Sequence, residues 1–169
     1  MYPYNWEWRD GPVEPGPTVI FDLDGVLSDA STRQHYIEYP YPDWEAFFHA
    51  CGDDDLISEV AALLGVIDAD HRIVMLTARP MRVQPQTLGW LERYGLRWDV
   101  LIMREFGDYM VAPAFKHRSV NELRAAGFDL RLASRTTPAT CTCSTRRTCR
   151  ASTSTPAITS RPRTTRCEV

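Results

Sequence analysis

The sequence lacks several features that would place it in familiar classes of protein. None of its apolar runs is long enough to cross a bilayer. Its first stretch, MYPYNWEWRDGPVEPGP, has neither the basic start nor the apolar core of a signal peptide. There is no internal repeat and no glycine-rich phosphate loop of the Walker or dinucleotide-binding type. We therefore expect no membrane partner, no secretion signal and neither of those two nucleotide-binding sites.

Cysteine is nearly absent from the first 133 residues. Of the five cysteines, Cys51 alone lies there, and the other four follow Ser134. A single thiol offers no disulfide framework, so we expect a thiol-reduced, cytoplasmic protein. The four later cysteines are an alternative metal knuckle, but they include no CxxC pair, and their spacing disfavours that interpretation.

Acidic residues are almost absent from residues 134–169. That stretch holds seven arginines and Glu168 as its one acid, a formal charge of +6. Because the whole chain carries −3, residues 1–133 carry −9. An acidic body argues against nonspecific binding to a nucleic acid backbone, although a local basic site stays open. The arginine, threonine and serine content of 134–169 is typical of a disordered tail.

Apolar strand-like runs alternate with helical patterns along the chain. The predicted strands are TVIFDLDG, HRIVMLTAR, WDVLIM and FDLRLA. The predicted helices follow Asp43, span Leu56 to Leu64, span Thr87 to Tyr94 and span Lys116 to Ala126. This order predicts an α/β fold, a parallel sheet with helices on both faces. We place that domain at 18–133, after a flexible leader at 1–17 and before the tail at 134–169.

Polar residues follow three of these strands, where ligands bind in folds of this kind. Asp22 and Asp24 come first, on a turn opened by Gly25. Two carboxylates so close repel each other unless a cation lies between them or one takes a proton. With a divalent cation present, one Asp could attack phosphorus while the other protonates the leaving oxygen. The simpler alternative is a turn with solvated acids.

The stretch VIFDLDGVLSD resembles the first motif of the haloacid dehalogenase (HAD) superfamily of phosphohydrolases. IVMLTAR resembles the second motif, and Lys116 suits the third. The resemblance implies a HAD-like fold with a small or absent cap. It implies Asp22 as nucleophile, Asp24 as general acid/base, Thr77 and Lys116 on the phosphoryl group, and Mg²⁺ held by Asp22 and the Asp24 carbonyl.

A narrower resemblance is to the phosphatase domain of polynucleotide kinase/phosphatase. It is carried by Arg33, by Arg79 after Thr77, by FGDY at 106–109 and by Lys116. It implies that Arg33 and Arg79 hold the substrate phosphate.

Each of these residues also has a simpler interpretation. A Thr after a strand is usually a turn or a helix cap, and Arg79 and Lys116 could be surface charges. The four histidines show no metal-ligand spacing, so we interpret them as structural. The aromatic residues Trp44, Phe47 and Phe48 are predicted to pack in the core or cap. The functional interpretation therefore depends on the ordered set rather than on any one residue.

The HAD resemblance calls for one or two acids after FDLRLA, to complete the Mg²⁺ site. The chain instead has Ser134-Arg135-Thr136-Thr137, with no acid until Glu168. A back-translation in GC-rich codons, read from the third base of the Ser134 codon, gives EDDARDVHMF. We therefore hypothesise that one base was lost near Ala133 and Ser134. The alternative is a native Arg/Thr/Ser tail.

The sequence as a whole predicts a Mg²⁺-dependent phosphomonoester hydrolase that works through an aspartyl-phosphate. Polynucleotide 3′-phosphate ends are the preferred substrate, and small phosphomonoesters such as nucleotides are the alternative. A third interpretation, from a different class, is a non-catalytic phosphate-binding domain. The missing acids favour this third interpretation for the chain as written.

Overall fold

The structure is a computed structural model that describes residues 2–38 and 40–134. The chain divides into two compact units, 1–137 and 138–169, and the described residues belong to the first. The prediction of a disordered tail at 134–169 concerns residues that, apart from Ser134, lie outside the described ranges. The strands are β1 (Trp6–Trp8), β2 (Pro17–Phe21), β3 (Ser28–Asp29), β4 (Asp55–Leu56), β5 (Arg72–Pro80), β6 (Val100–Arg104) and β7 (Asp129–Ala133). The helices are α1 (Trp44–His49), α2 (Ser58–Val66), α3 (Gln84–Arg93) and α4 (Ala112–Ala125), with 3-10 turns at Ala30–Ile37, Ala50–Gly52 and Met81–Val83.

Five strands form the main sheet in the order β1-β6-β5-β2-β7. The four strands predicted from sequence are β2, β5, β6 and β7, and all of them run parallel. β2 lies between β5 and β7, with Val19 opposite Ile73 on one side and Leu132 on the other. This confirms the predicted α/β fold, a mostly parallel sheet flanked by helices. The carboxyl ends of the four parallel strands therefore meet at one edge of the sheet.

Each face of the sheet is covered by its own apolar core. Because side chains alternate along a strand, Val19 and Phe21 of β2 face one core while Ile20 faces the other. The first core also holds Trp90 of α3, and the second holds Phe115 of α4. Burial on both faces explains why the strands are continuous apolar runs.

The N-terminal segment differs from the flexible leader expected at 1–17. Trp6 to Trp8 form β1, which pairs antiparallel with β6 at the sheet edge. The Asn5 side chain donates to the Met103 carbonyl at 2.8 Å, and the ring of Trp6 meets that of Phe128 at 6.0 Å. Sequence patterning did not indicate this strand, because three residues between Pro- and Gly-rich stretches are too few to show a period.

The sequence predicted where most helices lie in the chain but not always the residue at which they begin. Asp43 caps α1 as predicted, accepting a hydrogen bond from the Ala46 amide. α4 begins four residues before Lys116, with a proline in its first turn, so Lys116 lies inside the helix rather than at its start. Leu56, expected in a helix, pairs with Ser28 in the small β3–β4 sheet. Within the described ranges, no helix has the length and apolarity to cross a membrane.

Candidate active site

The turn after β2 fixes the direction of two carboxylates. The Leu23 carbonyl accepts hydrogen bonds from the amides of Val26, Leu27 and Ser28, and the Gly25 amide donates to the Ser28 carbonyl. Gly25 has φ of 75°, a conformation that side-chain-bearing residues rarely adopt. Glycine at this position therefore allows the chain to turn directly after Asp24.

Asp22 is a buried carboxylate paired with the one lysine of the chain. Its Oδ2 accepts a hydrogen bond from Lys116 Nζ, and its Oδ1 accepts one from the Leu23 amide at 2.9 Å. Burial raises the pKa of Asp22, the charge of Lys116 opposes that rise, and the nearby charge of Asp24 adds to it. Asp22 is thus an ionisable group whose charged form is stabilised mainly by Lys116.

Asp24 lies in a different electrostatic environment. Its Oδ1 accepts hydrogen bonds from Arg79 Nη2 at 2.6 Å and Nε at 2.9 Å, and from Arg33 Nη2 at 2.5 Å. Burial opposes ionisation of Asp24, but the charges of Arg79 and Arg33 outweigh it and lower its pKa. Asp22 and Asp24 therefore have pKa shifts of opposite sign although they are two residues apart.

Asp54 contacts the same two arginines as Asp24, and the sequence analysis did not predict it. It is 1% exposed, and its carboxylate accepts from Arg33 Nε at 2.8 Å, from Arg79 Nη2 at 3.2 Å and from Ser28 Oγ. Its carbonyl accepts from Trp90 Nε1 at 2.8 Å. The sequence showed only three consecutive acids before a helix, and nothing in Asp53-Asp54-Asp55 distinguishes the middle one.

Arg33 and Arg79 are held by acids on several sides. They are 2% and 0% exposed, and both contact Asp24 and Asp54. The Arg33 guanidinium also lies 4.1 Å from the centroid of the Phe47 ring and donates to the Phe47 carbonyl. In this structure the two arginines pair with Asp24, about a quarter of whose side chain is exposed, and with the buried Asp54. Their contact with a substrate phosphate stays a prediction.

Thr77 and Lys116 complete the set of residues predicted for the site. Thr77 is fully buried within β5, and its Oγ1 accepts from the Arg79 amide at 3.2 Å. Lys116 reaches Asp22 from α4, and about a quarter of its side chain is exposed. The structure thus brings all six predicted residues to the carboxyl edge of the sheet: Asp22, Asp24, Arg33, Thr77, Arg79 and Lys116.

The described residues do not by themselves form a complete divalent-cation site. Among them, no group of three His, Cys, Asp or Glu side chains is placed to hold a metal. The Asp22 oxygens face Lys116 and an amide, and Asp24 Oδ1 faces two guanidinium groups. Mg²⁺ takes oxygen ligands and usually keeps several waters, so with Asp22 and the Asp24 carbonyl alone it would rely on water and substrate for its other ligands.

Comparisons with solved structures find the same fold. A chain of the Pnkp1/Rnl/Hen1 complex superposes with a TM-score of 0.59 and 22% identity, over 75% of this chain and 40% of its own length. A chain of the Pnkp1/Rnl/Hen1 RNA repair complex has a TM-score of 0.54 and 25% identity, over 69% of this chain and 34% of its own. The class C acid phosphatase from Bacillus anthracis with tungstate bound has a TM-score of 0.55 and 18% identity, over 73% and 52%.

The chain therefore shares its fold with an acid phosphatase and with chains of an RNA repair complex, and this agrees with the predicted HAD-like fold. The chain spans about a third to a half of the length of the solved chains it matches. No protein-family model and no curated protein matches the chain.

The opposite pKa shifts predict opposite effects of two conservative substitutions on stability. A raised pKa means that stability linked to Asp22 is full below about pH 3.8 and is lost as the pH rises through the folded pKa. A lowered pKa means that stability linked to Asp24 is full above about pH 3.8 and is lost as the pH falls through the folded pKa. At pH 7 we expect Asp22→Asn to increase the free energy of unfolding and Asp24→Asn to decrease it.

Urea unfolding of both variants at pH 7 and pH 4 measures this difference. Asp10→Asn is the control, because the side chain of Asp10 is 89% exposed. Two shifts of the same sign at pH 7 would contradict the assigned environments.

Removal of Asp54 is expected to destabilise the fold. Asp54→Ala leaves two buried guanidinium groups with Asp24 as their remaining acid, and breaking a buried ion pair in this way costs about 3–5 kcal/mol. Asp53→Ala, at the exposed neighbouring position, is expected to cost less than about 0.5 kcal/mol. Equal unfolding free energies of the two variants would show that Asp54 has no special role.

Proposed function

We propose that this chain is a phosphomonoester hydrolase of the HAD type in which Asp22 is the nucleophile. The observation that carries the proposal is the buried Asp22 at the carboxyl end of β2, with Lys116 on one oxygen and Asp24 held beside it by two arginines. The fold shared with an acid phosphatase and with a chain of an RNA repair complex supports this reaction class.

In the proposed reaction, an Asp22 oxygen attacks phosphorus and the bond to the ester oxygen breaks. The leaving oxygen takes a proton from the protonated form of Asp24, which leaves Asp24 ionised, and a water then hydrolyses the aspartyl-phosphate after giving its proton back to Asp24. Lys116 carries three donors, so it can bind Asp22 and a phosphate oxygen together. Asp24 suits the second step as a base, because its lowered pKa keeps it ionised at neutral pH.

We propose polynucleotide 3′-phosphate ends as the substrate, with small phosphomonoesters such as nucleotides as the alternative. The polynucleotide interpretation is supported by the narrower sequence resemblance and by the fold of the RNA repair neighbours. A non-catalytic phosphate-binding domain is a further candidate, favoured by the incomplete donor set for a metal. Mg²⁺ as cofactor, a thiol-reducing cytoplasmic location and a nucleic acid partner belong to the same proposal.

Replacement of the nucleophile tests the proposed mechanism. Asp22→Asn is expected to lower phosphate release at least about 1,000-fold, because a side-chain nucleophile acts as part of an essential unit. Phosphate release is measured with p-nitrophenyl phosphate and with a 3′-phosphorylated oligonucleotide, and Asp10→Asn is the matched control. Full activity of Asp22→Asn on either substrate would falsify the mechanism. Binding of orthovanadate without any turnover by the wild type would favour the non-catalytic candidate.

The frame hypothesis is tested by supplying the acids that the donor set lacks. β7 pairs with β2 through Ala133 opposite Ile20, and the Ser134 amide donates to the Ile20 carbonyl at 2.9 Å. In a variant with IEDDARDVHMFDEEDVPCVYIHSGYY in place of residues 134–169, a strand continued in this register brings the acids level with Asp22. Groups that orient a bound metal typically contribute 10–100-fold, so we expect Mg²⁺-dependent activity to rise by about that factor.

The matched control for this variant carries Asn in place of the two consecutive Asp residues. It is expected to gain stability from the added segment but not the Mg²⁺-dependent rate. If the chain with its own 134–169 segment is equally active and stable, the frame hypothesis is wrong and the segment is native.

A further inference from the structure

A loop beside the site exposes two aromatic rings. Residues 105–111 join β6 to α4, and Phe106 and Tyr109 within them are 90% and 92% exposed. Val111 is exposed as well. Exposed aromatic side chains that lie close together in the chain often mark a binding surface rather than packing.

The loop makes hydrogen bonds within itself and to α4. The Asp108 amide donates to the Glu105 carbonyl at 3.2 Å, and Gly107 has φ of 82°. The Asp108 carboxylate accepts from the Met110 amide at 2.8 Å and from Arg118 Nη2 at 2.6 Å. The Met110 hydrogen bond, followed by the Arg118 contact, lowers the pKa of Asp108, so this anchor is charged at neutral pH. A fixed loop loses little conformational entropy when a ligand binds to its rings.

The position of the loop relates it to the proposed chemistry. β6 ends at the same sheet edge as β2, so the loop starts at the edge that carries Asp22. It leads directly into α4, from which Lys116 reaches Asp22. A molecule with its phosphate at Asp22 and a body extending over this edge is therefore within reach of the loop.

Charge favours stacking over backbone attraction as the means of recognition. Residues 1–133 carry −9, so a polyanion is not drawn to this body by its overall field. Exposed Glu105 adds a further negative charge to the loop. Arg104, at the end of β6, is a local cation whose buried Nε has no hydrogen-bond partner within the described part of the chain. Base–aromatic stacking contributes about 1–3 kcal/mol per base and tolerates any base, because every base has a π-face.

We propose that Phe106 and Tyr109 form a stacking platform for the bases next to a 3′-terminal phosphate. The platform makes a single-stranded nucleic acid end, rather than a free mononucleotide, the substrate class of the site. This inference deepens the proposed phosphatase function and rests on it for the position of the phosphate at Asp22. A protein surface or a second copy of this chain would use the same rings in a different way, and the experiment separates these cases.

The test compares two substrates in Phe106→Ala and Tyr109→Ala variants of the full chain. We expect each variant to raise KM for a 3′-phosphorylated single-stranded oligonucleotide by about 5-fold or more, since stacking contributes about 1–3 kcal/mol per base. KM and kcat for p-nitrophenyl phosphate are expected to stay unchanged. Phe106→Tyr and Tyr109→Phe keep a ring and are expected to restore the wild-type KM. Tyr41→Ala, at an 89% exposed ring elsewhere, is the control.

Binding is measured separately, so that failure of the phosphatase proposal leaves a clear result. Fluorescence anisotropy of the same oligonucleotide is recorded in EDTA and at 200 mM salt. The salt weakens electrostatic binding by the arginine-rich 134–169 segment. We expect the alanine variants to bind about 5-fold or more weakly. An oligonucleotide with abasic sites at its last three positions is expected to bind wild type and variants alike.

Several outcomes would overturn the platform. One is that the wild type does not bind the oligonucleotide. Another is that the wild type and the alanine variants bind it equally. A third is that the alanine substitutions reduce kcat/KM equally for p-nitrophenyl phosphate and for the oligonucleotide. Sedimentation that shows a dimer in the wild type and a monomer in the alanine variants would assign the rings to a second copy instead. If the wild type turns over no substrate but still binds the oligonucleotide through the two rings, the phosphatase proposal is rejected and the platform stands.

Discussion

Two buried guanidinium groups constrain the whole arrangement of the site. Arg33 and Arg79 are removed from water, and a buried charge is tolerated only when it is paired and hydrogen-bonded. Asp24 and Asp54 supply that pairing, each in contact with both arginines. The four side chains come from the turn after β2, a 3-10 turn, the residue before β4, and β5. Displacement of any one segment leaves a charge uncompensated, so this cluster fixes the insert between β2 and β5 against the sheet.

The same cluster gives two neighbouring carboxylates different chemistry. Asp24 faces the arginines and stays ionised, whereas Asp22 faces Lys116 and has a raised pKa because of burial. Enzymes commonly separate the roles of paired acids by separating their environments. An ionised Asp24 accepts a proton from water more readily than it donates one to a leaving group. In the proposed reaction, leaving groups that need no proton, such as p-nitrophenolate, are therefore the ones least limited by this arrangement.

The sequence predicted the sheet and most of the site because those features depend on local pattern and on a general rule of parallel sheets. Strands buried on both faces are continuous apolar runs, and polar residues at their carboxyl ends come together at one edge. Asp54 was missed because its burial depends on partners far along the chain, Arg79 and Trp90 among them. β1 was missed because its three residues are stabilised by tertiary packing of Trp6 rather than by any period. Only a folded chain reveals such contacts.

Charge balance at the candidate site limits the proposed binding of a phosphate by the described side chains alone. The acids Asp22, Asp24 and Asp54 are matched by the cations Lys116, Arg33 and Arg79, all within one connected set of contacts. A phosphomonoester brings a charge of about −1.5 to −2 at neutral pH, so its entry leaves the buried edge of the sheet with an excess of negative charge. The proposed Mg²⁺ would supply the missing positive charge, and one or two carboxylates, together with water and the substrate phosphate, would hold it. The acids that the resemblance implies after β7 would serve this purpose in the proposed reaction, since Asp22, Asp24 and Asp54 are each already paired with a cation.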